Sequence, residues 1–140
     1  MFNPNVWVKN FVSTCAVQST LSLVGRAMIA YLFIIAGWNK IGGYAGTAAF
    51  MASKGLPGDL VVLVILLELG GGLAILCGFQ TRIIALFLAI FNIVAGFMFH
   101  GSPEDATNLM KNIGLAGRFI YLVCYGAGRL SIDYCIEKSA

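Results

Sequence analysis

Four long apolar runs dominate the hydrophobic pattern of this chain, and their lengths suit helices that cross a bilayer. A soluble four-helix bundle is the alternative, but each of its helices would need a polar outer face, and these runs are apolar on nearly every side. The pattern predicts an all-α fold, an integral membrane four-helix bundle, in one domain over residues 1–140. The predicted spans are residues 21–41, 60–78, 83–99 and 113–128.

The first loop, residues 42–59, is the longest predicted connection. Residues 47–54 within it form a short amphipathic segment, for which we expect two helical turns lying on the membrane surface with Phe50 and Met51 as apolar anchors. Gly55 and then Pro57 should end this helix, because glycine suits the left-handed position after a helix and proline cannot continue one.

Composition agrees with a membrane protein and suggests an orientation. Charged residues make up 11% of the chain, against about 25% in soluble domains. Four spans place both termini on one side, which we predict to be the cytoplasm because that side has more positive flanking residues. The flanking residues there are Lys9, Arg82, Arg129 and Lys138, against Lys40, Lys54 and Lys111 opposite. A net charge of +3 is too small to indicate nucleic acid as a partner.

Each predicted span carries at least one polar or charged residue that is costly to place in a bilayer. Glu68 is the single charge within residues 60–78, and a charge at mid-membrane costs about 2.5–3.5 kcal/mol on insertion scales. Arg26, Asn92 and Arg118 hold comparable places in the other three spans. Helical spacing puts each of them on a stripe of small or polar residues. Such stripes let membrane helices approach closely, so we expect the four stripes to face one another.

Depth along the helices predicts which of these residues meet. At 1.5 Å per residue, Glu68 lies about 12 Å and Arg118 about 9 Å below the outer ends of their spans, and Asn92 is near the middle of its own. These positions predict a Glu68–Arg118 ion pair with Asn92 as a hydrogen-bond partner, and Arg26 is the rival partner. The pair could serve only to fix helix register. A surplus of positive residues around Glu68, including Lys40, favours a site for an anion or a polar headgroup.

Motifs for self-contained catalysis or metal binding are absent from the sequence. No serine or cysteine nucleophile has a neighbouring base, and the single histidine, His100, is too few for a bis-histidine haem site within one chain. The four cysteines form no CxxC pair and are expected to be small buried hydrophobes with reduced thiols. We therefore expect no metal and no cofactor bound by a motif, and the sequence leaves open whether the protein is an enzyme.

The order of several short motifs resembles that of DoxX-type membrane proteins across residues 23–133. Gly25-Arg26-Ala27 and Ala36-Gly37-Trp38-Asn39-Lys40 resemble the family's first span. The stretch from Glu68 to Arg82 resembles its second span, and His100 matches the end of its third. Lys111-Asn112 with Gly114 and Gly117 is similar to the start of the fourth span, and Gly126-Ala127-Gly128…Ser131…Asp133 to the closing motif, with Ala127 where proline is usual.

This resemblance implies a four-span protein of the inner (plasma) membrane and adds weight to Arg26, Lys40, Glu68 and His100 as site residues. The family takes its name from the small subunit of a thiosulfate:quinone oxidoreductase. It thus implies an accessory, non-catalytic redox subunit with a partner protein, and with quinone or a sulfur oxyanion near its polar interior. Two alternatives stay open: a small carrier or exporter acting as a homo-oligomer, and a membrane scaffold whose charges only set packing.

Overall fold

The computed structural model describes residues 3–140, and those residues form helices joined by short turns, with no strand among them. Residues 3–140 contain one short 3-10 helix, Pro103–Asp105, and seven longer helices. Their bounds are α1 Pro4–Val12, α2 Cys15–Gly42, α3 Tyr44–Ser53, α4 Leu60–Cys77, α5 Thr81–His100, α6 Ala106–Tyr125 and α7 Ile132–Ser139. The all-α prediction is confirmed.

Three of the helices, α2, α4 and α5, are long and apolar enough to cross a membrane. The fourth predicted span corresponds to α6, which has 20 residues but begins with polar turns. α2 begins at Cys15, earlier than the predicted residue 21, and α6 begins at Ala106 rather than at residue 113. Both early starts are polar or mixed in sequence, so hydropathy alone does not mark them as part of a helix.

The long helices pack in chain order around an apolar core. α2 packs on α4, α4 contacts α5, and α5 runs along α6. Phe33 of α2 meets Phe119 of α6 edge-to-face with ring centroids 5.1 Å apart, and Ile75 and Leu88 are fully buried between them in the core cluster. Burial of such side chains supplies the main non-polar contacts between the helices.

Small residues set the closest approach of α2 and α4. A Cβ atom added at Gly37 would lie 2.8 Å from the backbone nitrogen of Leu69, and one added at Gly72 would lie 2.9 Å from the side chain of Ile34. These separations leave no space for a larger residue, so the two backbones pass in direct contact. Close backbone approach at small residues is the expected packing mode of membrane helices.

The predicted stripes face inward on three helices and only in part on the fourth. Gly37 on α2, Gly71 on α4 and Ala89 on α5 are buried, as predicted. The stripe that includes Arg118 on α6 continues at helical spacing to Tyr121 and Tyr125, and there the expectation is wrong, because these side chains are 63% and 69% exposed and stack on each other with ring centroids 4.3 Å apart. The buried face of α6 consists of Ala116, Phe119 and Leu122.

The segment after α2 forms a helix, as predicted, but it does not lie with its whole length free on the surface. α3 covers Tyr44–Ser53 and ends before Gly55, whose φ of 80° is the left-handed conformation expected there. Met51 is buried, and Phe50 stacks on Phe99 of α5 with centroids 5.5 Å apart. α3 thus packs across the end of the bundle.

Candidate functional site

A cavity of about 620 Å³ lies among α2, α3, α4, α5 and α6. Its volume falls in the range of roughly 300–1,000 Å³ that is typical of small-molecule sites. Most of its wall is aliphatic or aromatic, and polar side chains interrupt the wall at a few positions. The polar or charged residues that line it are Lys40, Thr47, Glu68, Asn92, His100, Lys111, Asn112 and Arg118.

The charged centre of the cavity is an ion pair between Lys40 and Glu68. Lys40 Nζ donates to Glu68 Oε2 over 2.6 Å. Glu68 is only 6% exposed, so its carboxylate depends on this partner, since an unpaired charge in such a place is strongly destabilised. Lys40 is three residues after Gly37 on α2, and the close approach at Gly37 brings the ammonium within reach of α4.

Glu68 sits in a wide turn of its helix. Residues Leu66–Gly70 form one turn of π-helix inside α4, where hydrogen bonds skip one residue more than in an α-helix. Such insertions are rare and frequently occur at functional sites. Because the turn directs Glu68 inward opposite Gly37, helix packing and helix irregularity together place the carboxylate in the cavity wall.

The predicted Glu68–Arg118 ion pair is wrong. Arg118 lines the same cavity but forms no salt bridge within residues 3–140, and it is exposed. Asn92 also lines the cavity, yet its Nδ2 donates to the carbonyl of Leu88 in its own helix over 2.6 Å. The depth estimate brought the right residues into one cavity but chose the wrong cation, because Lys40 reaches inward from the helix end.

Arg26 lies away from the cavity, so its expected role as rival partner of Glu68 is also wrong. It is 1% exposed, and its Nη1 donates to the carbonyls of Ile75 and Leu76 over 3.0 and 2.9 Å. Its Nη2 donates to the carbonyl of Leu130. These carbonyls lie at the end of α4 and after α6, and that of Ile75 also accepts from the backbone nitrogen of Gly78 over 3.2 Å. Arg26 therefore joins three segments: its own helix α2, the end of α4 and the segment after α6.

The residues of the closing motif complete this structural cluster at the end opposite the cavity. Asp133 accepts hydrogen bonds from the backbone nitrogens of Gln80 and Thr81 over 2.7 and 2.8 Å, which caps the start of α5. The backbone nitrogen of Asp133 donates to the carbonyl of Gly78 over 2.8 Å. Gly78 has φ of 69°, and a Cβ there would lie 2.6 Å from the Arg26 guanidinium. The motif therefore fixes the fold.

His100 stands at the outer end of the cavity, paired with a residue that sequence reasoning missed. Its Nδ1 lies 3.2 Å from Asp105 Oδ2, and Nδ1 must carry the proton because a carboxylate only accepts. Asn108 donates to the other carboxylate oxygen over 3.0 Å. The hydrogen bond from His100, followed by that from Asn108, lowers the pKa of Asp105 below its ordinary value. The only sequence signal was the short spacing between His100 and Asp105.

Two cations of the cavity are without an acidic partner among residues 3–140. The Nζ atom of Lys111, which belongs to the positive surplus expected around Glu68, lies 3.5 Å from Oδ1 of Asn108, and Arg118 forms no ion pair. Both can donate hydrogen bonds to a carbonyl or anionic oxygen. The arrangement therefore has the donors to bind an acceptor group inside largely apolar walls.

The cysteines contribute nothing to this cavity. All four are free thiols and all are exposed on the protein surface, so the expectation that they are buried is wrong. Residues 3–140 contain no group of three or more histidine, cysteine, aspartate or glutamate side chains placed to hold a metal ion. What the site offers chemically is hydrogen bonding and charge.

Helices of membrane length around a cavity with an internal ion pair define an integral membrane protein with a polar interior. Comparison with known proteins identifies its family, because the family model named DoxX matches residues 21–101. The chain belongs to the DoxX family, as its motifs suggested. No solved structure matches the chain.

Three curated proteins are similar to this chain. "Inner membrane protein YqjF" of Escherichia coli (strain K12) is 49% identical over 119 residues, which cover 83% of this chain and 92% of that protein. "Inner membrane protein YphA" of the same strain is 30% identical, covering 84% and 91%. "Putative oxidoreductase CatD" of Bacillus subtilis (strain 168) is 32% identical, covering 72% and 83%.

Proposed function

We propose that this protein is an accessory membrane subunit of a redox system and that its cavity binds the head of a quinone. The observation that carries the proposal is the cavity itself, about 620 Å³ with Lys111 and Arg118 as free donors. Quinone carbonyls accept hydrogen bonds, and the ring suits aromatic walls such as those from Phe33, Phe91 and Phe99. The name of the relative from Bacillus subtilis, an oxidoreductase, supports the same direction.

We propose a subunit rather than a complete enzyme because of the chemical groups that line the cavity. Its residues can bind, orient and polarise an oxygen acceptor, but they supply no electrons, so a partner protein would have to deliver them. The Lys40–Glu68 pair, at 2.6 Å, makes it possible to bury the Glu68 carboxylate in the cavity wall, where an unpaired charge would be strongly destabilising. The pair also gives the quinone head a polar surface. A quinone is therefore the only cofactor proposed, and a separate redox protein is the proposed partner.

We also propose a topology for the chain, with four membrane spans and both termini in the cytoplasm. The start of α2 and the segment after α6 lie at one end of the bundle, where Arg129 Nη1 is 2.5 Å from Cys15 Sγ and Ser22 donates to the carbonyl of Ala127 over 2.9 Å. An even number of spans gives this arrangement. The positive flanking residues and the inner-membrane relatives favour the cytoplasmic side of an inner membrane for that end.

The test is to purify the protein from its host membrane in mild detergent and identify what travels with it by mass spectrometry. We expect a bound quinone and a co-purifying redox protein from the wild type. Glu68→Gln, compared with the wild type at an equal amount of accumulated protein, should lose much of the quinone because its cavity has lost the ion pair. A wild type that carries neither quinone nor redox protein contradicts the proposal.

A second candidate function is that of a small carrier for an anionic compound, acting as a homo-oligomer. The observation that favours it is the positive surplus of Lys111 and Arg118 in the cavity, since an anion would neutralise it. Vesicles that contain only this protein should then show saturable uptake of sulfite or thiosulfate, and Arg118→Met should abolish that uptake. Equal fluxes in protein-containing and empty vesicles count against a carrier.

A further inference from the structure

The cavity opens sideways, between α2 and α6. Leu32 of α2 and Gly114 and Arg118 of α6 line the cavity and are also exposed residues, Leu32 to 48%. A residue that both lines a cavity and reaches the outer surface marks an opening. Because this opening lies between two long helices of a membrane protein, it faces the bilayer.

Gly114 keeps this opening wide. A Cβ atom added at Gly114 would find no atom within 4 Å, although the position borders the cavity. Gly114 is exposed and has no side chain, so nothing from α6 fills the space beside the cavity at this position. α2 and α6 meet at Phe33 and Phe119 instead, over 5.1 Å between ring centroids.

The cavity has a charged end, and aliphatic and aromatic side chains form most of its wall beside the gap, where Arg118 is the charged exception. Lys40 and His100, near the ends of α2 and α5, and Lys111, near the start of α6, place charge at the end of the bundle. Leu32 and Phe33 lie two turns deeper along α2 and are apolar. A ligand with a polar head and a long apolar tail matches this division, whereas a small water-soluble oxyanion leaves the apolar part unused.

We propose that the gap between α2 and α6 is a lateral portal, through which an amphipathic ligand enters from the bilayer and in which its apolar tail remains. The head would accept hydrogen bonds from Arg118 and Lys111, and Gly114 is the residue that leaves room for the tail. This inference rests on the proposed function, because a quinone is one such ligand. To that function the inference adds the route by which the ligand enters, the position of its tail, and Gly114 as the residue that controls both.

Two tryptophan variants on the same helix test the portal. Gly114→Trp fills the gap, and Gly117→Trp is the matched control, because a Cβ at Gly117 also meets nothing within 4 Å but Gly117 does not line the cavity. Binding is measured with each protein in lipid nanodiscs. The probes are decylubiquinone and the same dimethoxy-methyl-benzoquinone head without its tail.

The portal predicts that Gly114→Trp weakens decylubiquinone binding at least about tenfold, while the tail-free head, which can enter from the polar end, changes by less than about threefold. Gly117→Trp should leave both probes unchanged. Unchanged decylubiquinone binding to Gly114→Trp overturns the portal, and so does an equal loss for both probes, which would mean that the indole fills the head site. If neither probe binds wild-type protein, the proposed function fails as well.

Photolabelling gives a readout that does not depend on a measurable affinity for the head. A quinone with a photoreactive group on its tail should label wild-type peptides that contain Leu32 or Gly114. Gly114→Trp should remove this labelling and Gly117→Trp should keep it. Labelling confined to other parts of the chain overturns the portal.

Discussion

Replacing Arg26 by methionine should lower the free energy of unfolding far more than replacing Arg118 by methionine, although the sequence predicts both residues in one polar site. Arg26 is 1% exposed and donates to three carbonyls, those of Ile75, Leu76 and Leu130. Methionine has similar length and no donor. Arg26→Met therefore removes the guanidinium donor from three carbonyl groups at the junction of α4 with the segment after α6, and only that of Ile75 keeps a backbone donor, the nitrogen of Gly78.

The size of the effect follows from the number of lost hydrogen bonds. Bonds between membrane helices average about 0.6 kcal/mol, and bonds to a charged donor reach about 1.5–3 kcal/mol in soluble proteins. Three bonds with partial additivity give a loss of roughly 2–6 kcal/mol for Arg26→Met. Arg118→Met removes an exposed side chain with no ion pair, so it should change stability by no more than about 0.5 kcal/mol.

The assay is reversible unfolding with SDS in mixed micelles, followed by circular dichroism. It gives the free energy of unfolding of wild type, Arg26→Met and Arg118→Met under one set of conditions. Arg26→Lys should fall between wild type and methionine, because one ammonium cannot reach all three carbonyls as the planar guanidinium does. A loss below about 1 kcal/mol for Arg26→Met, or an equal loss for the two methionine variants, would refute the assignment of Arg26 to structure.

Three further changes test other parts of the structure. Lys40→Met should destabilise the fold by about 1–3 kcal/mol because it leaves the Glu68 carboxylate unpaired, and adding Glu68→Gln should restore much of that loss in the same SDS titration. Gly78→Ala should cost at least about 1–2 kcal/mol, since φ there is 69° and the methyl group meets the buried guanidinium; wild-type stability would contradict the close packing. The stability that wild type gains over Asp105→Asn should be fully present above about pH 4, the unfolded pKa, and disappear as the pH falls through the lowered folded pKa of Asp105. A difference that does not depend on acid pH in thermal melts would be inconsistent with the His100 hydrogen bond.

The hydrophobic pattern identified the four long helices, because burial in lipid and burial in a helix core demand the same long apolar runs, but it did not predict α1 or α7. It placed the start of α6 too late, because Asn108, Lys111 and Asn112 are polar and lie in the first turns of that helix. Those turns lie at the end of the bundle, where placing a polar side chain costs little free energy. A hydropathy window reports the cost of transfer to lipid and does not report where helical hydrogen bonding begins.

The residues of the cavity could be predicted, but their pairing could not. Helical depth brought Glu68, Asn92 and Arg118 to one level, and all three line the cavity. Which cation reaches Glu68 depends on which helices touch, and the contact at Gly37 that selects α2 has no signature in spacing alone. The π-helical turn around Glu68 and the exposure of Tyr121 and Tyr125 on α6 depend in the same way on tertiary packing.

The affinity of wild-type protein for decylubiquinone in lipid nanodiscs, compared with that of Arg118→Met, tests the central claim most directly. The account predicts saturable binding to the wild type and an affinity at least about tenfold lower for Arg118→Met, with the folding stability of the two proteins nearly equal. Saturable binding of the same strength to both proteins, or no binding to the wild type, would contradict a quinone site in the cavity.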